Sequence, residues 1–176
     1  NNLFSTGPTT LDRSRFENWY RYESTRTGGG PRMTQTLLGF DYGTRRIGVA
    51  AGQDNTGSAQ GVATIPTPSA GAQWDKIDAL INEWQPDTLV IGLALSGTGE
   101  ETTLSRLARQ FGKQLQTRFG RNVRYIDETL TSDAADTLIR ESQPAGKRIT
   151  RRRQKVRDQI AAELILQTYL HEQSDT

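Results

Sequence analysis

The chain predicts an α/β fold: one mixed five-stranded sheet with helices on both faces. Three observations carry that expectation. Three short apolar runs come early, separated by turn residues, as in consecutive antiparallel strands. Helical and strand periods then alternate, which is the pattern of parallel strands joined by crossover helices. Finally, Thr88-Leu89-Val90-Ile91-Gly92 is apolar at successive positions, as a strand covered on both faces requires.

The elements follow in order. Leu37-Leu38-Gly39-Phe40 is a strand ending in a single carboxylate, Asp41, and Tyr42 to Arg46 is a tight turn. Ile47 to Ala51 and Ser58 to Ile65 are the next two strands, with a turn at Gln53 to Gly57. Pro66 and Pro68 open a loop. Trp74, Ile77, Leu80, Ile81 and Trp84 recur at helical spacing until Pro86 stops the helix. The strand at Thr88 to Gly92 leads into a glycine-containing loop that reaches Glu100. Leu104, Leu107, Ala108, Phe111, Leu115 and Phe119 mark a second helix, and Asn122 to Asp127 a last strand. A short helix over Leu130 to Glu141 is expected, capped by Thr131 or Ser132, then a loop over Gln143 to Thr150. The closing helix is expected from about Arg153 to Leu170. Residues 1–32 are polar, contain Gly28-Gly29-Gly30 and hold no sustained period. They are expected to form a disordered leader or extension, and residues 33–176 the domain proper.

Composition narrows the chemistry. The chain has no cysteine and one histidine, His171, which excludes a disulfide framework and a thiolate metal site. No apolar run approaches the roughly 20 residues of a membrane span, so a cytoplasmic protein without membrane contact is expected. The net charge of +2 is small, but its distribution is uneven. From Lys147 to Arg157 seven of eleven residues are basic and none is acidic. Lys147, Arg148, Arg151, Arg152 and Arg153 therefore suit a nucleic-acid backbone, and Thr44, Arg45 and Arg46 on the turn beside Asp41 are placed to touch the same phosphates.

Carboxylates stand at the ends of three elements: Asp41, the pair Asp127 and Glu128, and Asp158 on the closing helix. In an open α/β sheet ligands gather at the carboxyl ends of the strands. Acids without cysteine favour Mg²⁺ or Mn²⁺ over zinc, and two such ions suit phosphodiester hydrolysis. The competing reading of Asp158 is an ion pair with Arg151 or Lys155.

Four segments, in unbroken order from Leu37 to Leu170, resemble one family. FDYGTRRIGVA resembles the first-strand motif of the YqgF (RuvX-type) family, TLVIGLALSGTGE its Val-Ile-Gly-Leu-Pro loop, YIDETLTSDAA its Asp-Glu-Arg-Leu-Thr segment, and VRDQIAAELILQTYL its closing helix. The resemblance implies an RNase H-like fold and a bacterial, cytoplasmic nuclease acting on the 5′ end of pre-16S ribosomal RNA. It also implies Asp41, Glu128 and Asp158 as metal-binding catalytic acids, with Asp127 as a substitute or auxiliary ligand. The chain departs from the family pattern at Ala94, at Ser96-Gly97-Thr98-Gly99, at Thr129 and at Arg157. Alternative readings are a Holliday junction resolvase acting on DNA and a non-catalytic RNA-binding module of ribosome assembly. An ATP-handling domain is a further alternative, but it needs a second domain of the same kind. A monomer or weak homodimer is expected.

Overall fold

The computed structural model describes residues 34–67, 72–127 and 151–174. The expected leader, the helix over 130–141 and the loop over 143–150 lie outside the described residues. Eight elements are described: β1 (Thr36–Tyr42), β2 (Arg46–Gln53), β3 (Ser58–Pro66), α1 (Trp74–Trp84), β4 (Thr88–Leu93), α2 (Thr103–Phe119), β5 (Asn122–Asp127) and α3 (Arg151–Ser174). The sheet order is β3-β2-β1-β4-β5. β1, β2 and β3 pair antiparallel, and β1, β4 and β5 pair parallel. The mixed sheet expected from the sequence is therefore present, with β1 at its centre.

The side chains of each strand divide between two cores. Leu38 and Phe40 of β1, Ile47, Val49 and Ala51 of β2, and Leu89 and Ile91 of β4 pack with Ile77, Leu80, Ile81 and Trp84 of α1 and Ala108, Phe111 and Leu115 of α2. The alternate positions Leu37, Ala50, Ala59, Val90 and Ile126 meet Ala162, Ile165, Leu166 and Leu170 of α3. Thus α1 and α2 cover one face and α3 the other. β4 is buried at all six positions because both helix layers cover it.

Local chemistry sets the helix ends. Thr102 caps α2: its Oγ1 accepts the Ser105 N–H at 3.0 Å and donates to the Ala94 carbonyl at 2.8 Å, tying the helix start to the end of β4. Gly120 ends α2 at φ 62°, and Gln85 ends α1 at φ 45° just before Pro86. Arg118 donates to both carboxylate oxygens of Asp78 at 2.8 and 2.6 Å, linking α2 to α1. That exposed pair draws the Asp78 carboxyl below its ordinary range, chiefly through the hydrogen bond from Arg118.

The α3 face is built on close approach. A Cβ on Gly48 would overlap the Asp158 carbonyl oxygen, one on Gly61 would stand 2.6 Å from Gln159 Cβ, and one on Gly39 2.9 Å from Leu166 Cβ. Three strands thus present bare backbone to a single helix. Polar bonds fix its position along the sheet. Thr64 Oγ1 donates to the Lys155 carbonyl at 2.9 Å, and Glu163 Oε2 accepts the Gly61 N–H at 3.1 Å. The second of these lies where the β2–β3 register shifts, at Val49/Ala50. Full burial of a Leu or Ile contributes about 1.5–3 kcal/mol, against roughly 1 kcal/mol for a neutral hydrogen bond. Ile165, Leu166 and Leu170 therefore anchor α3, and the polar bonds set its register.

α3 begins at Arg151 and continues to Ser174, longer at both ends than the apolar spacing indicates. Its first turns are polar and exposed, so no buried stripe marks where the helix starts. β2 likewise begins at Arg46, which belongs to the strand and not to the turn.

Gly48→Ala should lower stability to urea by about 2 kcal/mol or more, since backbone and not a flexible side chain blocks the added methyl. A drop of less than about 0.5 kcal/mol in equilibrium unfolding, the ordinary range for a surface change, would contradict the packing described.

Candidate active site

β1 brings Asp41 to the carboxyl edge of the parallel strands. Its side chain follows Leu37 and Gly39 in the strand alternation, so it lies on the α3 face. Asp41 pairs across the ladder with Gly48, and Gly48 is the residue on which the Asp158 backbone rests. One missing side chain thereby carries the helix acid next to the strand acid.

The two carboxylates act on each other. The Asp41 carboxyl is pushed up from 3.8 to about 6, first by burial, second by the negative charge of Asp158, with partial relief from Arg157. Asp158 is in turn held by Arg46, whose Nε donates to Oδ2 at 2.5 Å; their side chains are 32% and 16% exposed. Arg46 Nη1 also donates to Gln154 Oε1 at 3.3 Å. The partner of Asp158 is therefore this strand arginine, in place of Arg151 or Lys155 from its own helix.

The other expected site residues divide. Thr44 and Arg45 are exposed on the turn next to Asp41. Arg152 and Arg153 are exposed in the first turn of α3, upstream of Asp158 on the same helix. Arg151 opens that helix, but its side chain lies outside the described residues, as do Glu128, Lys147 and Arg148. Asp127 falls elsewhere. It follows Val123 and Tyr125, which pack on the α1–α2 core, so by alternation it lies on the opposite face from Asp41. It is also exposed. A shared cation site for Asp127 and Asp41 does not follow from this strand.

Among the described residues no three His, Cys, Asp or Glu side chains converge as a metal site. What converges is the pair Asp41 and Asp158. Its donors are hard carboxylate oxygens, and one is made harder to ionise by burial and by its neighbour's charge. A divalent cation relieves both effects, so the pair fits Mg²⁺ or Mn²⁺. His171 stands thirteen residues further along α3, about 20 Å away at 1.5 Å per residue, and takes no part.

The loop from Ala94 to Thr102 borders the same edge. Ser96 organises it: its N–H donates to the Glu100 carbonyl at 2.9 Å, and its Oγ accepts the Glu100 N–H at 3.0 Å. A bridge between Leu95 and Glu101 closes it. The loop is a self-contained hydroxyl-bonded turn, with Ser96 Oγ also 2.7 Å from Thr98 Oγ1.

The family model described as "RuvX: Holliday junction resolvase" matches residues 35–172. A protein of Chromohalobacter salexigens named "Putative pre-16S rRNA nuclease" is 46% identical over 133 residues, covering 76% of this chain and 87% of that protein. One of the same name from Aeromonas hydrophila is 41% identical over 140 residues, covering 80% and 97%. The chain belongs to the RuvX family. Its five-stranded mixed sheet is the one the sequence predicts. Solved structures similar to it include a fowlpox virus resolvase bound to Holliday junction DNA, with 14% identity, TM-score 0.49, and coverage of 78% of this chain and 98% of that one. Thermus thermophilus RuvC aligns with 10% identity and TM-score 0.45, covering 80% and 97%. No helix among the described residues is long and apolar enough to cross a membrane.

The raised Asp41 carboxyl has a thermodynamic consequence. Below pH 3.8 the group is protonated in folded and unfolded chains alike. Between 3.8 and about 6 the unfolded chain ionises first, so the metal-free fold loses stability as pH rises through that window. At 1.36 kcal/mol per unit the loss is roughly 2–3 kcal/mol. Asp41→Asn should therefore be more stable than the wild type at pH 7.5 in chelator, and Mg²⁺ should raise the wild-type melting temperature more than the variant's. Calorimetric melts at pH 4 and 7.5 check both; a variant less stable at pH 7.5 in chelator would contradict the assignment.

Proposed function

We propose that this protein is a metal-dependent endonuclease of the cytoplasm that hydrolyses phosphodiester bonds, processing the 5′ end of pre-16S ribosomal RNA. The observation that carries the reading is the juxtaposition of Asp41 and Asp158 beside a basic helix end. Two curated relatives that each span most of this chain carry the pre-16S name, which supports the substrate.

In this reading Asp41 and Asp158 hold the divalent ion or ions, and Glu128, the acid that follows Asp127 in the chain, is the third ligand. When bound, the metal supplies Lewis acidity, acidifying a water and offsetting charge on the scissile phosphate. The chain's own residues do the rest. Thr44 and Arg45 contact the strand next to the cleaved bond. Lys147, Arg148, Arg151, Arg152 and Arg153 neutralise neighbouring phosphates and draw the RNA across the edge. The rigid sheet keeps Asp41 at a fixed distance from that path, so positioning and charge neutralisation account for most of the rate.

The test is cleavage of pre-16S RNA and of four-way DNA junctions in Mg²⁺ or Mn²⁺. Wild-type protein should cut the RNA at the 5′ side and lose activity in chelator. Asp41→Asn and Asp158→Asn should fold, bind RNA and cut about 10²–10³-fold more slowly, the scale of removing one electrostatic stabiliser of the transition state. Cleavage by either variant near the wild-type rate would remove the metal assignment. Preferential cutting of the junction would transfer the function to DNA, in keeping with the description of the family model. Replacing Arg152 and Arg153 by Ala should weaken RNA binding irrespective of sequence and lower the salt slope by about one for each phosphate no longer neutralised.

A further inference from the structure

We propose that Arg46 is a positioning residue that sets Asp158 against Asp41 before any cation binds. The inference rests on the reading of that pair as a cation site and assigns Arg46 a role other than phosphate contact. Arg46 lies two residues from Gly48 on the same face of β2, the face on which α3 rests. Its Nε reaches Asp158 Oδ2 at 2.5 Å and its Nη1 reaches Gln154 Oε1 at 3.3 Å. Gln154 and Asp158 stand four residues apart, so the guanidinium spans one turn of the helix.

Geometry separates Arg46 from its neighbour on the turn. Arg45 and Thr44 are exposed, whereas Arg46 is two-thirds covered and already engaged with two side chains of α3. A planar guanidinium donates in fixed directions and stays charged, so it fixes both the angle and the rotamer of the carboxylate it holds. Without it, two like charges would face each other across Gly48, and Asp158 would turn toward the basic flank of its own helix. Such supporting hydrogen bonds to ligating carboxylates commonly account for about 10–100-fold in metal affinity.

The experiment is calorimetric titration of the full chain with Mn²⁺, comparing wild type with Arg46→Gln, Arg46→Lys and Asp158→Asn, each first shown to be folded by its melting curve. Arg46→Gln should raise the Mn²⁺ Kd at least about 10-fold, and Arg46→Lys should recover part of the loss. The Mn²⁺ concentration for half-maximal cleavage should rise in the same ratio, while KM for RNA at saturating Mn²⁺ stays at the wild-type value. An unchanged Mn²⁺ Kd with weaker RNA binding and a salt slope lower by about one would overturn the proposal and make Arg46 a phosphate contact. Tighter Mn²⁺ binding by Arg46→Gln would overturn it the other way, making the guanidinium a competitor of the ion. If Arg46→Gln does not fold, Arg46→Lys carries the comparison, because it keeps the charge and loses the planar fork. Wild-type protein that binds no Mn²⁺ would defeat the cation reading of the pair itself, a failure distinct from equal binding by wild type and variants.

Discussion

The interaction on which the rest depends is the one between α3 and the backbone of β2 at Gly48. A helix is ordinarily held off a sheet by the side chains that fill the gap between them. Here glycines on β1, β2 and β3 remove that filling, and the Asp158 carbonyl settles where a methyl group would otherwise sit. The approach brings a carboxylate from late in the chain beside one at the end of the first described strand. It also creates the electrostatic tension that raises the Asp41 carboxyl, because burial and like charge come from the same close packing.

α3 divides its labour along its length. The half after Ala161 buries Ala162, Ile165, Leu166 and Leu170 and supplies the attachment. The half before it is polar, presents Arg152, Arg153 and Lys155 to solvent, and touches the sheet through Arg46, Thr64 and Gly48. Such a helix shows no continuous apolar face, although it is among the best anchored elements of the fold. Anchorage at one end leaves the other free to carry charge while the helix keeps its register.

Much of this was legible in the chain. The mixed sheet follows from three early apolar runs and the later alternation, and β4 declared its double burial through unbroken apolar character. Asp41 and Asp158 were legible as acids at element ends. What escaped was side, not position. Asp127 and Glu128 read as interchangeable, yet Val123 and Tyr125 put Asp127 on the α1–α2 face, a two-residue period visible in the sequence itself. Arg46 read as a turn cation because strand β2 starts one residue earlier than its apolar run. Its spacing of two from Gly48 was the available signal. The role of Glu163 in holding the Gly61 N–H could not be foreseen, since it depends on a register shift that no local pattern announces.

The separation of the two acids along the chain has a bearing on biosynthesis. Asp41 is made well before Asp158, and the pair meets only when α3 lands on β2. A nascent or truncated chain lacking that helix lacks Asp158 and the packing that sets it beside Asp41. Whatever chemistry the pair performs therefore waits until α3 has been made and has docked on β2.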